Sequence, residues 1–427
     1  MLNDCVPLPR SPSGKKAVGA ICQSGRRLAC LFATVTIASG CSSTSAVDAG
    51  LWSDVGPGSP RDAQATPRAV EASDDAGGVV AETGADAAGD AGPAEAGEND
   101  ASGDAVSPEG GGSSCASTLG GGPTVASATH LDVAVHDPSM IWDGSRYYLF
   151  GTGGSLNVRS SPDMRTWTGA GGIFAATPPW VTAALGADPK SLWAPDVSYF
   201  NGEFHIYYAG STFGSKNSVI GLVTNPVLDA RNPRYAWVDR GLVVQSKPAD
   251  VFNAIDPNVA FDASCAPWLA FGSFSSGVKL HKLAASTGKL ATDDPVTYSL
   301  ASRNGGAIEA ASIVSHNGYH YLFVSFDSCC QGINSTYKTM VGRSLSISGP
   351  YTNKAGIDMM QGGAELLLAT VGRYIGPGGG TAWKDGATYL YAYHYYDGQA
   401  NGASKLLVRP IVFTADDWIT LGDPLFP

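Results

Sequence analysis

The sequence predicts an all-β fold, a five-bladed β-propeller preceded by a disordered N-terminal tether. A short pattern recurs along the second half of the chain: an acidic or glycine-rich head, an apolar run, a polar turn and an aromatic run. The first four heads are marked by Asp137, Asp196, Asp256 and Glu309, which lie 59, 60 and 53 residues apart. Repeats of roughly 40 to 60 residues built from strands are typical of propellers, with one four-stranded blade per repeat. Five copies therefore predict five blades.

Each repeat predicts a pair of strands, because Asp-Gly and Asn-Gly dipeptides favour tight hairpin turns. Such dipeptides stand at Asp143-Gly144, Asn201-Gly202, Asn317-Gly318 and Asp385-Gly386. In chain order, the heads and the segments that follow them are His136-Asp137-Pro138-Ser139 before 140–150, Ala194-Pro195-Asp196-Val197 before 198–208, Asp256-Pro257-Asn258-Val259 before 260–273, Glu309-Ala310-Ala311-Ser312 before 313–323, and Gly376-Pro377-Gly378-Gly379-Gly380 before 381–391.

The four acidic heads predict a cluster of carboxylates. The innermost strand of each blade runs beside the propeller axis, so equivalent residues of different blades converge on one funnel. Like charges held close together are costly unless some are protonated or balanced by a metal. Asp and Pro are also ordinary turn residues, but four acids in register favour a site of chemistry.

The N-terminal part predicts export. A basic stretch, an apolar run from Leu28 to Ala38 and small residues predict a signal peptide over residues 1–41, too short to span a membrane. The small residues before Cys41 resemble a bacterial lipoprotein signal, in which Cys41 is lipidated after cleavage; ordinary signal-peptide cleavage is the alternative. Residues 42–128 are rich in Ala, Gly, Asp and Ser, which predicts a disordered linker. Residues 129–427 are the predicted propeller domain.

The distribution of charge and of cysteines limits the kinds of ligand and the disulfides that the protein is expected to have. The formal net charge is −11, and the linker alone carries 14 acids and 2 arginines, so the propeller is nearly neutral. A nearly neutral domain argues against nucleic-acid binding, which needs a basic footprint. Cys115 and Cys265 are the predicted disulfide of the exported part, and the adjacent Cys329 and Cys330 are either bridged to each other or reduced.

Carboxylates in a funnel, without a serine or cysteine nucleophile motif, favour glycoside hydrolysis. That reaction needs one protonated acid at the leaving oxygen and one ionised base or nucleophile at the anomeric carbon. Asp137 and Glu309 belong to blades one and four, two steps apart in a five-membered ring, and that separation leaves room for a water and favours inversion. Asp256 is expected to raise the pKa of the general acid by like-charge repulsion.

Ordered motifs over about residues 130–427 resemble the family-43 glycoside hydrolases, and within them the endo-acting α-1,5-L-arabinanases. The motifs are Val135-His136-Asp137-Pro138-Ser139, Trp193-Ala194-Pro195-Asp196, Asn253-Ala254-Ile255-Asp256-Pro257, Ala307-Ile308-Glu309-Ala310, Ser325-Phe326-Asp327-Ser328-Cys329-Cys330, Ser335-Thr336-Tyr337, Val341-Gly342-Arg343-Ser344 and Gly349-Pro350-Tyr351.

The resemblance implies a role for each acid: Asp137 as general base, Glu309 as general acid and Asp256 as the residue that tunes and orients Glu309. It also implies a central metal, usually calcium with a shell of waters, bound by His394. The implied sugar contacts are His136, Trp193, Phe213 and Ser273. Asp196 is either a sugar contact or a structural residue. One departure is Gly379, where the family commonly has a histidine.

The sequence thus predicts an exported, monomeric, inverting hydrolase that cleaves internal α-1,5-L-arabinofuranosidic bonds of arabinan or arabino-oligosaccharides and is either secreted or tethered to the membrane through Cys41. Another family-43 activity, namely α-L-arabinofuranosidase, exo-arabinanase or β-xylosidase, is one alternative. A propeller that binds glycans without cutting them is the other.

Overall fold

A computed structural model describes Cys115, residues 119–123 and residues 132–426 of the chain. The predicted signal peptide with Cys41, and all of the predicted linker except Cys115 and residues 119–123, lie outside the described residues. The described linker residues lie against the propeller: Cys115 is disulfide-bonded to Cys265, as predicted, and the Gly122 amide donates a hydrogen bond to Asp385.

The predicted five-bladed propeller is confirmed, with one antiparallel sheet per blade. Blade 1 comprises β1 (Ser139–Trp142), β2 (Tyr147–Gly151), β3 (Asn157–Ser161) and β4 (Thr168–Gly172); a short helix, α1 (Pro179–Leu185), precedes blade 2. Blade 2 comprises β5 (Leu192–Phe200), β6 (Glu203–Gly210), β7 (Ser218–Asn225) and β8 (Val238–Ser246). Blade 3 comprises β9 (Asn258–Phe261), β10 (Pro267–Phe271), β11 (Val278–Ala284), β12 (Lys289–Leu290) and β13 (Tyr298–Ala301); its outer position is divided, because β12 and β13 both pair with β11.

Blade 4 comprises β14 (Ile308–His316), β15 (Tyr319–Phe326), β16 (Lys338–Ser344) and β17 (Glu365–Leu368), with short 3-10 helices at Gly332–Asn334 and Met359–Gln361. Blade 5 comprises β18 (Tyr374–Asp385), β19 (Thr388–Asp397), β20 (Ala403–Phe413) and β21 (Ile419–Leu421). Among the described residues, no helix is long and apolar enough to cross a membrane.

The inner strands form a closed ring around the axis, because β1, β5, β9, β14 and β18 each contact the next and β18 contacts β1. The two ends of the propeller are also tied together. The Leu406 amide donates to the Val133 carbonyl, and the Val135 amide donates to the Ser404 carbonyl. The start of the described domain thereby extends the sheet of blade 5.

The hydrophobic core lies between the blades. Five clusters of buried apolar side chains fill the junctions between successive blades, one cluster for each pair of neighbours. In blade 1, for example, Ile141, Tyr148 and Phe150 pack with Ile206 and Tyr208 of blade 2. Polar residues are thus left at the axis, where the sequence places its acids.

Candidate active site

A cavity lies at one end of the axis, where the inner strands begin. All five blades contribute to its wall, which is lined by Asp137, Ala194, Pro195, Asp256, Pro257, Ala310, Ala311, Gly379, Gly380 and Thr381. Each head has a cavity-lining residue in a left-handed backbone conformation, with φ of 49° at Asp137, 41° at Ala194, 55° at Asp256, 54° at Ala310 and 56° at Gly379; Gly376 of the fifth head also has a φ of 55°. L residues rarely adopt positive φ, so its recurrence marks one structural position repeated five times.

This repeated position corrects the expected alignment of the acids. Asp137 and Asp256 are equivalent, but Glu309 stands one residue before Ala310, and Asp196 stands two residues after Ala194. In three blades the strand register shifts at the head, between Trp193 and Asp196, Glu309 and Ser312, and Gly378 and Thr381. The acids therefore occupy three different positions relative to the left-handed residue of their head, and only some of them face the cavity.

Asp137 is held ionised by its neighbours. Its Oδ2 lies 2.8 Å from His136 Nδ1 and accepts a 2.6 Å hydrogen bond from the Thr152 hydroxyl. Burial alone would raise its pKa, but the attraction and hydrogen bond of His136, with smaller contributions from His394 and Thr152, lower the pKa of Asp137 to about 2. This carboxylate can accept a proton throughout the neutral range.

Glu309 has the opposite tendency. Burial raises its pKa, and the negative charge of Asp137 adds to the increase. Two hydrogen bonds oppose that increase: Tyr337 donates its hydroxyl to Oε1 and Ser273 donates to Oε2, each at 2.8 Å. These two donors also fix the orientation of the carboxyl group.

Asp256 connects the other two acids. Its Oδ2 accepts a 3.0 Å hydrogen bond from the backbone amide of Ala310, the residue after Glu309. Burial and the negative charges of Glu309 and Asp137 raise the pKa of Asp256 well above its ordinary value. This contact links Asp256 to the strand that carries Glu309, and the repulsion between the two carboxyl groups disfavours the state in which both are ionised.

Asp196 does not line the cavity. Its side chain is 2% exposed and accepts hydrogen bonds from Val259 N at 2.8 Å and Asn258 Nδ2 at 2.9 Å. Burial raises its pKa to about 7. The same kind of bond joins four successive blade pairs, from Val197 N to Ser139 Oγ, Val259 N to Asp196 Oδ2, Ile313 N to Asn258 Oδ1 and Ala382 N to Ser312 Oγ. The structure thus engages Asp196 in a belt of hydrogen bonds between blades.

The structure places the other predicted contact residues at different depths. Phe213 is 58% exposed on the loop between β6 and β7, and Trp193 is partly buried in β5. Ser273 is buried and bonded to Glu309. His136 is partly buried, and its Nε2 lies 2.8 Å from the Tyr396 hydroxyl.

His394 lies directly beneath Asp137. It is 0% exposed, its ring stacks on His136 at 3.8 Å between centroids, and its Nδ1 accepts a 3.2 Å hydrogen bond from the Asp137 amide. Burial and the nearby His136 hold its pKa well below the ordinary value, so the imidazole is neutral. Its Nε2 is buried without a hydrogen-bond partner among the described residues. His136, Asp137 and His394 have ligand atoms within 4.8 Å of one another, which could hold a cation.

Gly379 permits this close packing. A Cβ at Gly379 would lie 2.5 Å from His394 Cε1 and 2.7 Å from Asp137 Oδ1. Real Cβ atoms essentially never come this close to other heavy atoms. The glycine is therefore required by the present arrangement of Asp137 and His394.

Sequence reasoning missed the residues that hold the acids. Thr152 donates to Asp137 and accepts from the Ala194 amide at 2.7 Å, and Tyr337 donates to Glu309. Both belong to loops that follow the second strand of a blade, as does Ser273. Their shared position in the repeat could have predicted them, because the loop after the second strand returns to the face where the inner strand begins.

The site therefore combines an ionised carboxylate, Asp137, with a buried carboxyl group that favours protonation, Glu309. Carboxyl groups whose environments push their pKa values apart are the arrangement needed for paired base and acid catalysis.

Comparisons with known proteins agree with this chemistry. The model of the glycosyl hydrolases of family 43 matches residues 131–419. The extracellular endo-α-(1→5)-L-arabinanase 1 of Bacillus subtilis is 42% identical over 283 residues, covering 65% of this chain and 84% of that protein. The extracellular exo-α-(1→5)-L-arabinofuranosidase ArbA of Cellvibrio japonicus is 37% identical over 299 residues, covering 67% of this chain and 86% of that protein. The Cellvibrio cellulosa α-L-arabinanase complexed with arabinohexaose superimposes with a TM-score of 0.65 at 35% identity, covering 68% of this chain and 96% of that one.

Proposed function

Because this chain belongs to glycosyl hydrolase family 43, we propose that it is an endo-acting, inverting hydrolase of the α-1,5-L-arabinofuranosidic bonds of arabinan. The observation that carries the proposal is that the pKa values of three carboxyl groups at one site are shifted in opposite directions. The pKa of Asp137 is lowered to about 2, whereas those of Glu309 and Asp256 are raised. The relatives named as arabinanases indicate the substrate.

In the proposed mechanism Asp137 is the general base. Its carboxylate accepts a proton from a water that attacks the anomeric carbon. His136 and Thr152 occupy Oδ2, which leaves Oδ1 to face that water. The base must stay ionised for this step, and its lowered pKa keeps it so.

Glu309 is the general acid in this mechanism. Its proton passes to the glycosidic oxygen as the bond from that oxygen to the anomeric carbon breaks, so the leaving sugar departs as an alcohol. Tyr337 and Ser273 hold the carboxyl group in place, and Asp256 disfavours its ionised form. In a single displacement, the water attacks the face opposite the leaving group, and the configuration at the anomeric carbon is inverted.

Calcium is the metal that we propose for this centre. The buried, neutral His394 has its Nδ1 3.6 Å from Asp137 Oδ1. Together with His136 these side chains form a group that fits a cation, and calcium would complete its shell with water oxygens. Bound there, it would add positive charge near the base. Prolonged chelation should lower both activity and melting temperature, with recovery on added calcium; unchanged activity and melting would refute the metal.

Export is proposed on the basic and apolar N-terminal segment and on relatives that are named extracellular. The finer proposal is lipidation of Cys41. Mass spectrometry of the mature N-terminus would detect a lipid on Cys41, whereas an unmodified terminus would refute anchoring. We further propose that the propeller acts as a monomer, to be checked by light scattering.

The test of function is hydrolysis of linear α-1,5-arabinan followed by chromatography. An endo enzyme releases a range of short oligomers early. Release of single sugars alone would identify exo action, the activity named for the Cellvibrio japonicus relative. Binding without products would identify a glycan-binding propeller.

A further inference from the structure

Three loops of blades 2 and 3 form a continuous ridge on the face that carries the cavity. We define the ridge as loops 211–217, 247–257 and 272–277. The Lys216 ammonium donates to the Asp250 carbonyl at 2.6 Å, which joins the first loop to the second. The Ser276 amide and hydroxyl both donate to the Val251 carbonyl, at 3.0 and 2.6 Å, which joins the second loop to the third.

Each loop of the ridge presents one large apolar side chain that is exposed. Phe213 is 58% exposed, Val251 is 69% exposed and Phe274 is 44% exposed. The three loops that carry these side chains are joined by hydrogen bonds, and apolar groups exposed in one region of a surface mark interaction sites. Of the three, only Phe213 was predicted from the sequence.

The backbone of Phe274 is held in an unfavourable conformation. Its φ is 48° and that of Ser275 is 46°, values that are rare for bulky residues. Several contacts impose them: Phe274 donates its amide to the Ile308 carbonyl at 2.8 Å and accepts from the Gly277 amide at 2.6 Å, and Ser275 bridges to Gly305. Side chains kept in costly backbone conformations cluster at functional sites. These backbone contacts therefore hold Phe274 in position before a ligand binds.

The ridge also has a definite place relative to the chemistry. Phe274 follows Ser273, which donates to Glu309 Oε2 at 2.8 Å, and Phe274 bonds to Ile308, the residue before Glu309. A general acid acts on the leaving oxygen, so the leaving part of the substrate lies beside it. The neighbours of Glu309 on the ridge therefore face the leaving part of the chain.

We propose that Phe274, with Val251 of the adjoining loop, binds the leaving-group side of the arabinan chain by stacking on the apolar face of an arabinofuranose ring. The inference rests on the proposed function and extends it. It assigns Phe274 as a substrate-contacting residue that determines where along a chain the cut falls. It also places the ridge of blades 2 and 3 on the reducing-end side of the cleaved bond.

The test uses Phe274→Asn, because asparagine tolerates positive φ and lacks the ring. Wild type and variant are incubated with linear arabinan and with arabinohexaose labelled with ¹⁸O at its reducing end, and the labelled fragments are sized by mass spectrometry. We expect kcat/KM on arabinan to fall roughly ten-fold, the order of one lost aromatic contact. Labelled fragments should become shorter, since binding modes that place many sugars on the leaving side lose their advantage.

Two variants serve as controls. Phe274→Tyr retains the ring and should keep the wild-type fragment pattern. Leu345→Ala removes a side chain that is 73% exposed just after β16 and should change neither rate nor pattern.

Three outcomes would overturn the inference. An unchanged fragment pattern in Phe274→Asn, an equal effect in Leu345→Ala, or a shift to longer labelled fragments would each exclude Phe274 from the leaving-group side. Failure of the wild type to cleave arabinan would instead refute the proposed function, and the ridge proposal with it. The two failures are thus distinguishable.

Discussion

The hydrogen bonds that Tyr337 and Ser273 donate to Glu309 should set the alkaline limit of activity. Each bond is 2.8 Å long and stabilises the ionised carboxylate, so each works against the burial that raises the pKa of Glu309. The general acid must be protonated to act. Tyr337→Phe therefore raises the pKa of Glu309 further and extends activity to higher pH.

The magnitude follows from the strength of such bonds. A hydrogen bond to a charged group contributes about 1.5 to 3 kcal/mol, and about 1.4 kcal/mol corresponds to a factor of ten in protonation. The alkaline limb of kcat/KM against pH should thus move upward by about one to two pH units for Tyr337→Phe, and further when Ser273→Ala is added. The acid limb should stay in place, because neither residue is hydrogen-bonded to Asp137.

The assay is kcat/KM on linear arabinan across the pH range in which each variant stays folded. Tyr321→Phe is the matched control, since its buried hydroxyl donates to the Asp417 carbonyl, away from the acids. An alkaline limb that stays fixed, or one that moves to lower pH, would refute the reasoning. An equal movement in Tyr321→Phe would do the same.

Two further predictions concern Gly379 and Asp196. Gly379→Ala should lower kcat/KM about ten-fold, because the added Cβ would displace Asp137 or His394 and misplacement of a catalytic group is costly. The control Gly318→Ala, also at positive φ but with open space around it, should not lower kcat/KM. Asp196→Ala should destabilise the fold by about 2 to 4 kcal/mol, measured by denaturant unfolding, because it leaves buried donors unpaired, while a loss of kcat with unchanged stability would mean that Asp196 acts at the site. Because burial raises the pKa of Asp196 to about 7 in the folded state, its contribution to stability is present below about pH 4 and declines as pH rises to 7. Asp196→Asn should abolish that slope.

The fold could be predicted from the sequence because its signals are local and repeated. Asp-Gly and Asn-Gly turns mark the hairpins, and the spacing of the heads sets the number of blades. The convergence of Asp137, Asp256 and Glu309 followed from that architecture, since equivalent strands surround one axis. The Cys115–Cys265 disulfide was likewise predicted and is present.

The position of each acid relative to the left-handed residue of its head could not be predicted, because that position depends on backbone conformation. Sequence spacing alone treated Asp196 as equivalent to Asp137, whereas the left-handed residue of blade 2 is Ala194. Because of that offset of two residues, the Asp196 side chain lies between blades 2 and 3 and accepts hydrogen bonds from Asn258 and Val259. The partners Thr152 and Tyr337 were missed for a related reason: they lie in different loops, and only the folded chain brings them to the acids.

The direct test of the division of roles is the initial rate of reducing-end release from linear α-1,5-arabinan by Glu309→Gln and wild type. Glutamine keeps the size of the side chain but has no proton to give. We predict ready hydrolysis by the wild type and a roughly thousand-fold lower rate for the variant, within the range typical of general acid catalysis, with an unchanged melting temperature. A variant rate close to that of the wild type would contradict the assignment of Glu309 as the acid.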